Sequence, residues 1–355
     1  MLFCLIVTLI LCLFNIKFSQ QKNGGAPNGL LYTDYLSVDK TNSIKGLFII
    51  LVFFSHISGY MQLSEAPINR IYFIFNYGIM CQGVVSVFFF YSGYAMMLSC
   101  VKKGREYVRS IPGKRVFKVL LHFDIAVLIF LLVQTALGER FSISQILLSL
   151  LCIKSLGNSN WYIFAILIMY LITFISFLIG KKNQKTVLAI AFALTLAYCL
   201  IISRFMNSIW YDTVFLYPLG MLWFTCKDKI EQFFINKKYF YYVALGSVVA
   251  IFALTIPFRN IIIVSIFKNA LFGIIVILLT MKVQVHNRVL SFFGRHLFSL
   301  YILQRIPMLV FEHFGLNEYP VAYIIGCAVA TVPIAVGFDF LLSRLDSVLF
   351  KPKKH

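Results

Sequence analysis

The sequence predicts an all-α, polytopic integral membrane protein. Hydrophobic residues make up 60% of the 355 residues and charged residues only 13%, whereas soluble domains carry roughly 25% charged residues. The apolar residues are grouped into blocks of about 17 to 22, the length with which a helix crosses a hydrocarbon layer roughly 30 Å thick. A soluble protein of this composition would leave a mainly apolar surface in contact with water, so that class is excluded.

Eleven apolar blocks are candidate membrane spans, and they correspond to a ten-span core with one additional N-terminal span. The first block has no basic segment before it and no clear cleavage site after it, which favours a retained span over a signal peptide. A further apolar segment at 142–153 is short and is expected to be re-entrant or interfacial. The predicted spans are 1–18, 44–62, 79–100, 116–137, 161–180, 186–203, 210–226, 239–257, 262–281, 296–314 and 321–343.

The distribution of Lys and Arg predicts the orientation. With the segment 102–118 in the cytoplasm and the sides alternating from there, 25 of the 32 basic residues lie in cytoplasmic segments and 7 elsewhere. Cytoplasmic loops of membrane proteins carry such an excess. We therefore expect a multi-pass protein of the inner or plasma membrane, with its N-terminus outside and its C-terminus in the cytoplasm. The predicted units are an N-terminal span and linker (1–34), a membrane domain (35–345) and a basic tail (346–355).

The net charge of +19 does not indicate a nucleic-acid partner. The cations lie in short clusters between apolar blocks, where they would contact the headgroups of the lipid bilayer, and no repeated basic and aromatic surface exists for a nucleic acid. The eight cysteines form no C-x-x-C pair and lie mostly in or beside apolar blocks. Neither a disulfide framework nor a metal site is therefore expected.

His56 is the sharpest functional candidate, because an ionisable residue inside a span is costly and usually functional. Lys45 precedes it by eleven residues, which places both side chains on one helix face with an axial separation of about 16 Å. A cation at the membrane border and an imidazole at depth suit a long donor with an anionic head and a reactive tail, such as a coenzyme A thioester. Alternatively, Lys45 is a snorkelling anchor and His56 a hydrogen-bonding partner of a neighbouring helix.

A second candidate is the end of the basic segment, Arg115-x-x-Lys118. At this spacing on a helix the two cations share a face at the membrane border, where such a pair can hold phosphates. The alternative is plain anchoring of the helix to anionic headgroups.

Several short motifs follow one another along the chain. They are Lys45-Gly46 with His56, Phe88-Phe89-Phe90-Tyr91-Ser92-Gly93-Tyr94, Arg115-x-x-Lys118, Trp161-Tyr162-Ile163, and Gly294-Arg295 with Ser299 and Tyr301-Ile302-Leu303. Together they resemble the membrane-bound acyltransferase-3 family, whose members include O-acetyltransferases of lipopolysaccharide, capsule and peptidoglycan. The corresponding family signatures are R-G…H, F-F-x-x-S-G-Y, a cytoplasmic R-x-x-R, W-Y/F and G-K…S…Y-L. The resemblance extends from about residue 35 to 345.

The resemblance implies an enzyme that moves an acetyl group from acetyl-CoA, or another acyl-CoA, to a hydroxyl of an envelope carbohydrate or lipid-linked glycan, with no bound cofactor. His56 would act as general base or as a transient acyl carrier. Lysines stand at 45 and 118 where the family has arginines, which keeps the charge but loses the bidentate fork, and Gln304 stands where the family often has His. The implied substrate-binding residues are Lys45, Arg115, Lys118, Ser92, Trp161 and Tyr301.

Other polar residues in or near spans are weaker candidates. His122 and Asp124 follow the basic segment, Arg305 and Glu312 are candidates for an ion pair, and Asp339 is a candidate partner for a cation. The acids Glu139, Asp212 and Glu312 lie toward the side where a sugar would enter, and Trp161, Trp210 and Trp223 also fit an interfacial aromatic belt.

Two other functions remain as alternatives. A transporter or flippase of an envelope lipid or polysaccharide would show inverted repeats or broken spans in matching positions, and the sequence has no visible repeat and few mid-span prolines. A non-enzymatic scaffold would leave the Lys45–His56 stripe without a role. Binding of acyl-CoA separates the enzyme from both alternatives. The sequence leaves the oligomeric state and the acyl-chain length open.

Overall fold

The computed structural model describes residues 1–14, 16–18, 31–61, 67–80 and 82–350, which form an almost entirely helical protein. Two short strands, β1 (Ile16–Phe18) and β2 (Val283–Val285), pair antiparallel. The helices are α1 (Leu2–Cys12), α2 (Val38–Ile57), α3 (Pro67–Phe73), α4 (Gly83–Ile111), α5 (Lys118–Ala136), α6 (Ile143–Leu150), α7 (Trp161–Gly180), α8 (Gln184–Ile202), α9 (Leu216–Asn236), α10 (Lys238–Thr255), α11 (Ile262–Lys282), α12 (Arg288–Arg295), α13 (Leu297–Leu303), α14 (Arg305–His313) and α15 (Pro320–Leu349).

Seven helical stretches within the described residues are long and apolar enough to cross a membrane. They contain eight of the eleven predicted spans, because one stretch, Asn69–Ala136, holds both 79–100 and 116–137. The prediction of an all-α, polytopic membrane protein is confirmed. The segment predicted as re-entrant or interfacial contains only the eight-residue α6, which begins with a capping box between Ser142 and Gln145.

The predicted span 1–18 is not one helix. α1 has 11 residues and is therefore only about 16 Å long. It begins beside α3, where Leu5 and Tyr72 line one cavity. Beyond α1, the carbonyl of Phe14 accepts a hydrogen bond from Asn287 at 3.5 Å, and β1 then pairs with β2. The segment thus runs antiparallel to α2, partly as helix and partly as extended chain.

The predicted spans 210–226 and 296–314 also differ from the structure. α9 begins at Leu216 with Pro218 in its first turn, where a missing N–H costs nothing, and it continues through a charged segment to Asn236. The segment 296–314 is divided into α13 and α14, and α12 precedes it. Pro307 cannot donate a hydrogen bond to Leu303, so a continuous helix is interrupted at Gln304.

The basic segment 102–118 is helical and reverses direction at Gly104. Gly104 has φ 68° and ψ −155°, a conformation that is essentially restricted to glycine. Beyond it the chain folds back, and the hydroxyl of Tyr107 donates to the sulfur of Met96 at 3.5 Å. A wide π-helical turn, Pro112–Phe117, then leads into α5.

Two close helix crossings hold the centre of the bundle together. Where α2 crosses α12, a Cβ on Gly46 would overlap the carbonyl of Leu290, and a Cβ on Gly294 would overlap the carbonyl of Asn42. Gly93 of α4 and Gly220 of α9 make a second such crossing. The glycines of three sequence motifs therefore allow backbone-to-backbone packing, for which any side chain is too large.

Contacts between segments that are distant in the chain occur at both ends of the bundle. At one end of the bundle, Lys17 faces Gln284 in the β1–β2 pair, and the indole of Trp223 donates to the Tyr35 hydroxyl at 2.8 Å. At the opposite end, the amide of Asn317 donates to the carbonyl of Tyr60 at 3.0 Å.

Candidate active site around His56

His56 lies in the last turn of α2 and lines a cavity of about 350 Å³. Its lining residues on α2 and in the turn that follows run from Leu51 to Gly59, so the cavity lies along the C-terminal end of α2. Apolar residues of α1, α2 and α4 form part of the wall, and polar or aromatic side chains form the rest. These are Ser55, Asn76, Tyr77, Gln82, Trp161, Tyr301 and Arg305. A cavity of this size with convergent polar groups is typical of a small-molecule site.

Gln304 holds the imidazole in place. Its side-chain nitrogen lies 3.1 Å from Nδ1 of His56, and Gln304 itself is only 1% exposed. The break between α13 and α14 places this side chain at the level of His56. A buried amide beside an imidazole fixes the ring orientation and, through the choice of donor and acceptor, the tautomer.

α13 is fastened to α15 next to this contact. Asp339 accepts a hydrogen bond from the Ser299 hydroxyl and contacts Nδ1 of His296. The sequence suggested Asp339 as the partner of a cation, and the structure places it between a histidine and a serine. These contacts join the N-terminal end of α13, the helix that carries Tyr301 and leads to Gln304, to α15.

Aromatic side chains of α7 and α13 form one wall of the cavity region. The rings of Tyr162 and Tyr301 are 5.4 Å apart, and those of His56 and Tyr301 are 6.2 Å apart. Ser92 lies close to Tyr162 and Tyr170. The predicted site residues His56, Trp161 and Tyr301 thus line one cavity, whereas Ser92 is not among its described lining residues.

Lys45 lies on α2 toward the opposite end of the bundle from this cavity. Its ammonium group is 5.8 Å from the centre of the Tyr91 ring, and the Tyr91 hydroxyl is buried without a hydrogen-bond partner within the described residues. Because α2 is a continuous helix, the predicted axial separation of about 16 Å between Lys45 and His56 holds.

Arg115 and Lys118 do not point to a common partner. Nε of Arg115 donates to the Tyr107 hydroxyl at 3.1 Å, whereas Lys118 forms an ion pair with Asp346 at 2.6 Å. Arg115 belongs to the wide π-helical turn and Lys118 follows it, so the same-face rule for positions i and i+3 of an α-helix does not apply between them. His122 contacts the other oxygen of Asp346 at 2.9 Å.

Three cavity residues were not singled out as substrate contacts from the sequence. Asn76 and Gln82 stand in an apolar segment without a recognisable motif. Arg305 was expected to pair with Glu312, but its described contacts are instead with Gly157 and Tyr60. One signal was available for it, because Arg305 is among the few cations on the side of the membrane that is poor in basic residues. Of the outer acids, Asp212 lies apart from the cavity and accepts a hydrogen bond from Ser265 at 3.0 Å.

Comparison with known protein families identifies the family to which the chain belongs. The sequence model of an acyltransferase domain matches residues 39–339. The chain belongs to the acyltransferase-3 family. The matched region of this acyltransferase begins in the first turn of α2 and ends at Asp339 in α15, so it includes His56, Lys45, Gln304 and all the lining residues of the cavity except Leu5. Comparisons with curated proteins and with solved structures find no match.

Proposed function

We propose that this membrane acyltransferase moves an acetyl group from acetyl-CoA to a hydroxyl group of a cell-envelope carbohydrate. One observation carries the proposal: His56, held by Gln304, lines a cavity with polar walls on one side and shares a helix with Lys45 on the other. A base between a cationic border position and a polar cavity is the arrangement that a donor and an acceptor arriving from opposite sides require.

The contact with Gln304 permits two proton arrangements. In one, the amide N–H donates to Nδ1, and the proton of the neutral imidazole then lies on Nε2. In the other, the amide is turned by 180°, its oxygen accepts from Nδ1–H, and Nε2 carries a free lone pair. This turn gives up the hydrogen bond that the Gln304 side-chain nitrogen donates to the carbonyl of Tyr301 at 3.3 Å. Only the second arrangement makes Nε2 a base, so the proposed reaction uses it.

The proposed acetyl transfer needs no reactant other than acetyl-CoA and the acceptor. The acceptor hydroxyl oxygen bonds to the thioester carbonyl carbon while its proton passes to Nε2 of His56. The carbon–sulfur bond breaks as the tetrahedral intermediate collapses, and the proton moves from His56 to the CoA thiolate. The products are the acetyl ester of the sugar and free CoA.

The proposed donor contacts are Lys45 and Arg115. Both are cations toward the same end of the bundle, and both are free of an ion pair with a described carboxylate. Phosphates of CoA would supply the missing negative charge. Lys118 was predicted to share this role, but its ion pair with Asp346 favours anchoring of α5 to α15.

Replacement of His56 tests the proposal. His56→Ala should lower acetyl transfer from labelled acetyl-CoA to envelope glycans by a factor on the order of 10² to 10⁴, the usual contribution of a general base. His313→Ala is the matched control, because His313 is exposed on α14 and does not line the cavity. Near-normal transfer by a correctly inserted His56→Ala protein would refute the proposed chemistry.

A further inference from the structure

The cavity beside His56 contains a cation, Arg305, that forms no ion pair with a described carboxylate. Nη1 of Arg305 donates to the carbonyl of Gly157 at 3.4 Å, and the guanidinium carbon lies 5.9 Å from the centre of the Tyr60 ring. Nε of Arg305 is buried and has no hydrogen-bond partner among the described residues. No Asp or Glu is among the described side chains that line the cavity. Among the described residues, Arg305 therefore contacts a carbonyl and an aromatic face and forms no ion pair with a carboxylate.

A second unsatisfied atom lies on the same cavity. The side-chain oxygen of Gln82 is buried and accepts no hydrogen bond from a described residue. Arg305 therefore offers a charged donor, and Gln82 offers a neutral acceptor. A ligand that carries both an anionic group and a hydroxyl group would satisfy both atoms, since a carboxylate or phosphate accepts from the guanidinium and a hydroxyl donates to the amide oxygen.

The position of Arg305 distinguishes it from the donor contacts. α2 runs from Lys45 to His56, and the turn that follows it carries Tyr60, whose ring contacts Arg305. The two cations therefore lie on opposite sides of the imidazole. A donor whose phosphates are bound near Lys45 would place its thioester at His56, so its charged head would lie away from Arg305.

We propose that Arg305 selects an anionic acceptor, namely a glycan that bears a carboxylate or a phosphate close to the hydroxyl that is acylated. This inference rests on the proposed acetyl transfer and adds the charge class of its acceptor. A neutral sugar in the cavity would leave a buried guanidinium unpaired, which is costly within a membrane protein. An anionic sugar would neutralise it and would fix the distance between its hydroxyl and His56.

The first experiment identifies the acetylated sugar in cells. A strain that lacks the gene receives the wild-type protein, Arg305→Gln, Arg305→Lys, His56→Ala or Arg259→Gln, and ester-linked acetate on its envelope glycans is mapped by mass spectrometry. Arg259 is a suitable control because it is an exposed cation that does not line the cavity. The acetate lost with His56→Ala should be on a sugar with a carboxylate or phosphate on itself or its direct neighbour. Arg305→Gln should reduce it by a factor on the order of ten or more, and Arg305→Lys should retain most of it.

A second experiment needs no variant of the protein. The purified wild-type protein receives acetyl-CoA and the de-O-acetylated glycan in three forms: native, with carboxylates reduced to alcohols, and with phosphates removed. The treatment that lowers kcat/KM by a factor on the order of ten identifies the anion that is bound.

The outcomes separate the two proposals. Acetylation that persists in the His56→Ala strain refutes the proposed function itself. Acetylation that requires His56 but occurs on an uncharged region of a glycan, or that is unchanged after both chemical treatments, overturns the role of Arg305 alone. Equal rates of transfer by Arg305→Gln and the wild type would also overturn the role of Arg305 alone.

Discussion

The amide of Gln304 can face His56 with its nitrogen or with its oxygen, and the two orientations stabilise opposite tautomers. Substitutions at position 304 therefore test which ring nitrogen of His56 carries the proton. Gln304→Glu always presents an oxygen to Nδ1 and should keep Nε2 as the base, so transfer should stay within about tenfold of the wild type. Gln304→Met has a similar volume but replaces the amide with a weakly accepting thioether, and it should lower kcat by a factor on the order of 10 to 100. Equal rates for Gln304→Met and the wild type would show that the contact does not orient the imidazole.

Lys45 supports a second prediction at this scale, on donor affinity. Lys45→Glu should weaken binding of CoA to the purified protein by a factor on the order of ten or more, because it replaces a phosphate-binding cation with an anion. Lys45→Arg keeps the charge and should bind normally. Lys114→Glu is the control for net charge, since Lys114 is an exposed cation near the same membrane border. If folded Lys45→Glu protein binds CoA normally, Lys45 is only an anchor.

The crossing of α2 and α12 is the element-level feature on which the site depends most. A Cβ at Gly46 would overlap backbone atoms of Leu290, and backbone cannot rotate away as a side chain can. Gly46→Ala should therefore lower the free energy of unfolding by about 1 to 3 kcal/mol and reduce transfer, because α12 leads directly into α13 and Gln304.

Gly246→Ala is the matched control for that substitution. Gly246 lies within α10 with open space around it, and alanine there should stabilise the helix by about 0.5 to 1 kcal/mol. Thermal unfolding of both purified variants in the same detergent provides the comparison. A Gly46→Ala protein as stable and active as Gly246→Ala would contradict the packing role of the motif glycine.

A hydropathy pattern predicts the ends of a helix well where the residue types change abruptly between polar and apolar. The predicted span 161–180 coincides with α7, because a continuous apolar block lies between polar Asn160 and Lys181. The late span 296–314 is not a single helix because Pro307 lacks the N–H that would continue the helix through Gln304, and hydropathy does not register a missing hydrogen-bond donor. Hydropathy also does not predict the π-helical turn before Lys118. It therefore did not predict that Lys118 and Arg115 contact different partners.

The sequence predicted those residues of the candidate site that belong to recognisable motifs. His56, Trp161 and Tyr301 come from distant motifs and line one cavity, as expected if the motifs belong to one site. Gln82 and Arg305 complete that cavity without a motif of their own. Their contribution follows only from tertiary packing, which brings the start of α4 and the start of α14 to the same place.

At the scale of the whole molecule, the predicted orientation is open to a direct labelling test. Arg109 and Ser144 are exposed on opposite sides of α5 in the chain. In a cysteine-free background, Arg109→Cys should react with a membrane-impermeant maleimide only after the cells are opened, whereas Ser144→Cys should react in intact cells. Labelling of Arg109→Cys from outside would invert the orientation and would place the proposed donor side outside the cell.

The uninterrupted course of α2 has a consequence for the choice of donor. Lys45 and His56 are connected by a single stretch of hydrogen-bonded backbone, so their spacing changes neither with bilayer thickness nor with movements between helices. If Lys45 binds the phosphates, the fixed distance along α2 requires a donor whose arm extends from Lys45 to His56. An acyl phosphate, which has no arm, would bind at Lys45 with its carbonyl three helical turns short of the imidazole. The helix would thus reject short activated acyl compounds by length alone, even where their charge and their reactivity are suitable.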